Sequence, residues 1–195
     1  MSLRVVESGP APHETEAVFF YDLGNPDAYL VAERIRAELP VICDWEPVHA
    51  AALGLQRSVP PDRDALAARV AAQDLLPLRL PARWPPDTEL AMRVATYAKG
   101  GGKSIAYSLA AFRQAFAGGR NLGDEGTVLL AAAACEMHPT AVLKGAATRA
   151  TAAALARAGE RAVAAGITAL PALVVAGATT CGPRALDDTL AVLSR

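Results

Sequence analysis

Apolar and polar positions along this chain change period twice. Residues 17–22 form a short, mostly apolar run of strand length, closed by Gly24 and Asn25. Residues 26–39 then bring Ala28, Val31, Ala32, Ile35 and Leu39 to one helical face, with Glu33, Arg34, Arg36 and Glu38 on the wet side. Pro40 stops that helix and 41–48 is a second strand, so the chain opens as a βαβ unit. From there the period stays helical: 62–75, 87–98, 104–117, 124–135, 139–144 and 149–165 all read as helices. Breaks fall at Pro77 to Pro81, at Gly100-Gly101-Gly102 and at Gly118-Gly119, while Asp87, Ser104 and Asp124 stand where N-caps belong. The tail returns to strand at 170–176, turns at Gly177 toward Thr179-Thr180-Cys181, and ends in a helix over 183–193.

This order predicts an α/β fold, βαβ…ββα, split by a helical block. The expected division is a loose polar arm over 1–16, one α/β unit from 17–55 and 148–195, and a helical insertion over 56–147. There is no internal repeat and no low-complexity linker.

Alanine supplies much of the 52% hydrophobic content and aromatics only 5%, which favours closely packed helices over a sandwich of sheets. A net charge of −1 with dispersed Lys, Arg, Asp and Glu gives no basic stripe, so no nucleic-acid partner is expected. No apolar run reaches the roughly 18 residues of a membrane span, and none near the N-terminus has signal-peptide character. No membrane partner and a cytoplasmic location are the expectation. Cys43, Cys135 and Cys181 are odd in number and form no Cys-x-x-Cys pair, which suits a reducing compartment.

Four stretches carry a family resemblance. Phe19-Phe20-Tyr21-Asp22 followed by Asn25-Pro26 and Tyr29-Leu30 resembles the first motif of the DsbA-like thioredoxin-fold superfamily. Trp45-Glu46-Pro47, Arg83-Trp84-Pro85-Pro86-Asp87-Thr88 and Gly166-Ile167-Thr168-Ala169-Leu170-Pro171 agree with it, in order. The branch most similar holds 2-hydroxychromene-2-carboxylate isomerase and kappa-class glutathione transferase. The resemblance implies a thioredoxin-like fold with a cis Pro171 and a Leu170 backbone open to an extended ligand. It also implies a helix at Pro26 aiming free N–H groups at the same spot, and a pocket formed with the insertion. Such relatives hold glutathione or a related thiol and act on a small molecule, and they often form homodimers.

Where relatives place Cys-x-x-Cys or Ser-Pro-x-Ser, this chain has Asn25-Pro26-Asp27-Ala28. Without either cysteine, no internal disulfide can form there. Asn25 donates and accepts hydrogen bonds but is neither nucleophile nor general base near neutral pH, and it is also a strong N-cap. Glutathione-using relatives commonly have an aspartate where this chain has Arg184, after Gly182-Pro183. Two roles stay open for Arg184, a ligand carboxylate or solvent, with solvent preferred. The site expected from the resemblance is therefore Asn25 at the reacting sulfur, with Asn25, Pro26, Leu170, Pro171, Gly182 and Arg184 around the thiol. A non-catalytic ligand-binding member and thiol chemistry through Cys181 are the competing readings.

Two other signals fall away. Lys99-Gly100-Gly101-Gly102-Lys103-Ser104 lacks the early glycine of a phosphate loop and follows a helix, not a strand. His13, His49 and His138 have no metal-ligand spacing, so no metal is expected.

Overall fold

The computed structural model describes residues 17–56, 59–75 and 77–194, and the expected arm over 1–16 lies outside them. Strand β1 (Ala17–Tyr21) runs parallel to β2 (Cys43–Pro47) through the crossover helix α1 (Pro26–Glu38). On its other side β1 pairs antiparallel with β3 (Ala172–Val175), which pairs antiparallel with β4 (Ala178–Cys181). The order across the sheet is β2-β1-β3-β4. The β3–β4 hairpin turns on Ala176 and Gly177 at φ 49° and 81°, the left-handed pair that a two-residue hairpin loop requires.

Between β2 and β3 come α2 (Arg63–Ala72), α3 (Glu89–Gly100), α4 (Ser104–Phe112), α5 (Glu125–Ala133), α6 (Pro139–Ala146) and α7 (Arg149–Ala164). Helix α8 (Ala185–Leu193) closes the chain. Among the described residues no helix is long and apolar enough to cross a membrane.

Alternation along β1 divides the core. Phe19 and Tyr21 point to one face, where Phe19 meets Trp45 edge-on at 5.1 Å and Tyr21 meets Phe112 of α4 at 5.8 Å. Tyr29 of α1 stacks on Phe116 at 5.7 Å, so this aromatic cluster binds the sheet and α1 to the helical block. Phe20 points the other way, into a smaller cluster with Ala158 and Ala162 of α7 and Leu170. Glu46 of β2 accepts from Lys99 of α3 at 2.9 Å and Arg161 of α7 at 2.8 Å, tying three elements to one buried carboxylate.

Some helix ends differ from the sequence reading. Asp62 caps α2 through its side chain, but α3 starts from Thr88, not Asp87, and Ser104 is the first residue of α4, not its cap. Asp124 stands at the start of α5 without a side-chain capping bond. The helix read over 104–117 is α-helical only to Phe112 and continues as a π turn, Arg113–Ala117. Strand β3 begins at Ala172 and α8 at Ala185, each two residues later than its pattern suggested.

Candidate functional site

The chain leaves β1 through a turn organised by Asp22. Its Oδ1 accepts from the Gly24 N–H at 2.7 Å, and its Oδ2 from the Ala50 N–H at 2.8 Å and the Thr88 hydroxyl at 3.2 Å. One carboxyl thus joins the end of β1, the loop after β2 and the entrance of α3. That explains the cap of α3: the Thr88 hydroxyl is drawn to Asp22 instead of its own helix. Asp22 is 3% exposed, and burial pushes its carboxyl above the ordinary range. The three hydrogen bonds and the charge of His49 pull in the opposite direction. Gly24 is required by close approach, since a Cβ there would lie 2.8 Å from Thr88 Cγ2 and 2.9 Å from Pro86 Cγ.

Asn25 comes next, in extended backbone at φ −101° and ψ 113°. Its Oδ1 accepts from the N–H groups of Asp27 at 2.9 Å and Ala28 at 3.3 Å, capping α1. Its Nδ2 donates to the Leu170 carbonyl at 2.8 Å, across 145 positions of sequence. The expected free N–H groups at the start of α1 are therefore not there. Asp27 and Ala28 are taken by Oδ1, Tyr29 donates to the Asn25 carbonyl, and Pro26 has no N–H. What Asn25 retains for a ligand is the second hydrogen of Nδ2.

The Leu170–Pro171 peptide is cis. Leu170 is 4% exposed and its carbonyl already accepts from Asn25, so that oxygen is not open to an extended ligand as the resemblance implied. Gly182, at φ 85°, donates its N–H to the Pro171 carbonyl at 2.7 Å and so holds this loop from the far side. Arg184 points into solvent, with only a loose 3.4 Å pair to Asp188. Arg69 of α2 pairs with the buried Asp27 and donates to the Pro183 carbonyl at 3.2 Å, bridging α1 to the turn after β4.

Beside Asn25 opens a narrow, shallow cleft whose enclosed space is about 30 Å³, room for roughly one or two water molecules. Asp22, Asn25 and Pro26 form one wall and Trp84, Pro85 and Pro86 the other, while Gln56 donates to the Pro86 carbonyl at 3.2 Å and lies at the edge. Leu170, Pro171, Gly182 and Arg184 do not line it. Asp22, Gln56 and Trp84 were missing from the residues expected at the site. The signal for Asp22 was an acid closing an otherwise apolar strand, immediately before a Gly-Asn turn.

The cysteines lie elsewhere. Cys181, half-buried on β4 opposite Ala172, packs against the smaller core cluster and does not line the cleft. Burial pushes the Cys43 thiol up to about 12 and also raises that of Cys135. Among the described residues no group of three His, Cys, Asp or Glu side chains could hold a metal.

A thioredoxin-type sheet with a cis-proline loop facing a helix start, and a helical block set between its halves, defines a class of protein. The DSBA-like thioredoxin domain model matches residues 17–193, and the chain belongs to that family. No curated protein matches the chain in sequence. Among solved structures it is similar to 2-hydroxychromene-2-carboxylate isomerase, at 14% identity and TM-score 0.73, covering 92% of this chain and 94% of that one. A probable DsbA oxidoreductase from Streptomyces coelicolor matches at 19% identity and TM-score 0.71, covering 91% and 88%. The cytosolic disulfide reductase DsbM from Pseudomonas aeruginosa, solved with GSH, matches at 12% and 0.63, covering 91% and 96%. Identities this low carry the fold alone.

Proposed function

We propose that the chain is a small-molecule isomerase or transferase of the DsbA family in which the working sulfur belongs to a bound thiol, glutathione or a relative of it. The observation that carries this reading is the Asn25 amide: it ties the start of α1 to Leu170 and walls the cleft, yet keeps one Nδ2 hydrogen. The residues present fit the sulfur end of such a thiol, with Asn25 Nδ2 as donor and the positive end of α1 behind it. They fit its peptide end poorly, because the Leu170 carbonyl is occupied and Arg184 faces solvent. When bound, the thiol would supply the nucleophile that this chain lacks at the helix start. The chain's own share would be to hold the reactants and exclude water between Trp84 and Asn25. The isomerase among the similar structures, and the reductase solved with GSH, support this choice of chemistry.

A second reading, a ligand-binding member without catalysis, is favoured by the same amide, since most of its hydrogen-bonding capacity is spent within the protein. Thiol chemistry through Cys181 has no comparable support. Titration with reduced glutathione, followed by melting temperature, tests the first reading. Binding raises the melting temperature by linkage, about 2.7 kcal/mol at a hundred times the dissociation constant. A flat melting curve at millimolar glutathione would sink it.

A further inference from the structure

The turn after β2 serves two hollows. Its Ala50, Leu55 and Gln56 belong to the cleft beside Asn25, while His49 and Leu53 line a second hollow against α3 and α7. The second encloses about 190 Å³, against about 30 Å³ in the cleft. That is room for about six water molecules, or for a ligand of about six or seven non-hydrogen atoms. Helical spacing builds it. The N–H groups of Ala52, Leu53 and Gly54 donate to the carbonyls of His49, Ala50 and Ala51, a short helical turn that sets His49 and Leu53 on one side. Glu89 and Arg93 stand one turn apart on α3, and Leu155, Ala156 and Gly159 share one face of α7.

The floor is aliphatic. Leu155 is buried, and a Cβ on Gly159 would lie 3.0 Å from Leu53 Cδ2, so the Leu53 side chain rests directly on the backbone of α7. The polar lining is His49, Glu89 and Arg93. Arg93 donates from Nε to Glu89 at 3.2 Å and from Nη1 to the Ala146 carbonyl at 3.4 Å. Its Nη2 and the ring nitrogens of His49 form no hydrogen bond among the described residues. Glu89 is the one acid among the described residues of the lining. It is already paired with Arg93 and its side chain is 60% exposed, so water screens it. A carboxylate entering here would meet a guanidinium fork and an imidazole N–H, with aliphatic walls for its body. An ammonium group would meet the guanidinium's like charge.

We propose that this hollow is a second ligand site, which takes a small aliphatic monocarboxylate: the carboxylate on Arg93 and His49, the hydrocarbon on Leu53 and Leu155. The site is separate from the cleft beside Asn25 and does not depend on the thiol reading of that cleft.

Isovalerate, isovaleramide and isoamylamine share a branched aliphatic body and differ in charge. Each is titrated into the whole protein near neutral pH, following the methyl NMR signals of Leu53 and Leu155. Isovalerate is expected to bind at least roughly tenfold more tightly than isovaleramide, with isoamylamine weakest. An amide or amine that binds as tightly as the carboxylate overturns the proposal. So does the absence of shifts at both leucines with all three probes up to their solubility limits. In Arg93→Gln the preference for isovalerate over isovaleramide should shrink to about twofold, and an unchanged preference overturns the proposal. Ala156→Leu fills the hollow from α7 and should weaken isovalerate at least roughly tenfold. Binding untouched by that substitution would place the ligand elsewhere and overturn the proposal as well. Should Arg93→Gln not fold, the ranking on the native chain and Ala156→Leu still decide. The glutathione titration is independent: a flat result there leaves this site standing, and the absence of isovalerate binding leaves the thiol reading untouched.

Discussion

The side-chain amide of Asn25 spans the two halves of the thioredoxin unit, donating to the Leu170 carbonyl at 2.8 Å while its oxygen caps α1 through Asp27 and Ala28. The position where relatives of this family keep a cysteine or serine is here a structural clasp as well as a cleft wall.

Replacing Asn25 should therefore separate two contributions. Asn25→Ala loses the cap and the tie to Leu170 together, about 2 kcal/mol if each is worth its usual ~1 kcal/mol. Asn25→Ser keeps an N-cap oxygen but cannot reach Leu170 with an amide, so its loss should be about half as large. Urea unfolding of both variants measures this. Equal losses would mean that the bond to Leu170 contributes nothing. Freed of Asn25, the Leu170 carbonyl of the serine variant should also admit an extended thiol ligand more readily, seen as a larger melting shift with glutathione.

Gly24 tests how tightly the insertion is seated on the turn. A methyl group there would meet Thr88 Cγ2 at 2.8 Å and Pro86 Cγ at 2.9 Å, so Gly24→Ala should destabilise by about 1–3 kcal/mol through overpacking. Gly126 of α5 has nothing within 4 Å of its would-be Cβ, and Gly126→Ala should instead stabilise by about 0.4–1 kcal/mol. Opposite signs from one substitution type, read by thermal or urea unfolding, distinguish packing from backbone entropy. A neutral Gly24→Ala would show that the wall of Pro86 and Thr88 yields.

These two positions also show what could be read in the sequence. Periodicity and Gly/Pro breaks marked every strand and helix of the sheet unit, because burial on alternating or helical faces is written locally. The thioredoxin arrangement, Asn25 and the Leu170–Pro171 loop followed from short motifs. The partners were not legible. The atom that Asn25 contacts lies 145 residues away. Thr88 stands at the start of α3 without capping it because its hydroxyl serves Asp22, 66 residues away, a choice decided only in three dimensions. The gathering of Gly24, Ala50 and Thr88 around the Asp22 carboxyl depends on three separate segments meeting, and no window of sequence contains that.

Thiol reactivity should follow burial. With its thiol pushed up to about 12, Cys43 holds very little thiolate near neutral pH, so its alkylation by iodoacetamide should be on the order of a thousandfold slower than that of a free cysteine. Mass spectrometry of a timed labelling reaction resolves Cys43 from the other two cysteines. Labelling of Cys43 at the free-thiol rate would show that β2 opens readily, and would return thiol chemistry to consideration.

The most specific dependence on pH should come from Asp22. Burial, the largest influence, raises its folded value above that of the unfolded chain, so the native state keeps a proton that the unfolded state has already released. Stability must then fall as pH rises from about 4, the unfolded value, to the raised native value, with the full penalty present above it. Asn at this position never ionises. The stability of the native chain relative to Asp22→Asn should therefore decline across that window, whatever the constant offset from altered hydrogen bonds to Gly24, Ala50 and Thr88. Urea unfolding of both proteins at a series of pH values reads the slope. A relative stability that rises with pH would mean that those three donors outweigh burial and hold the carboxylate charged without help.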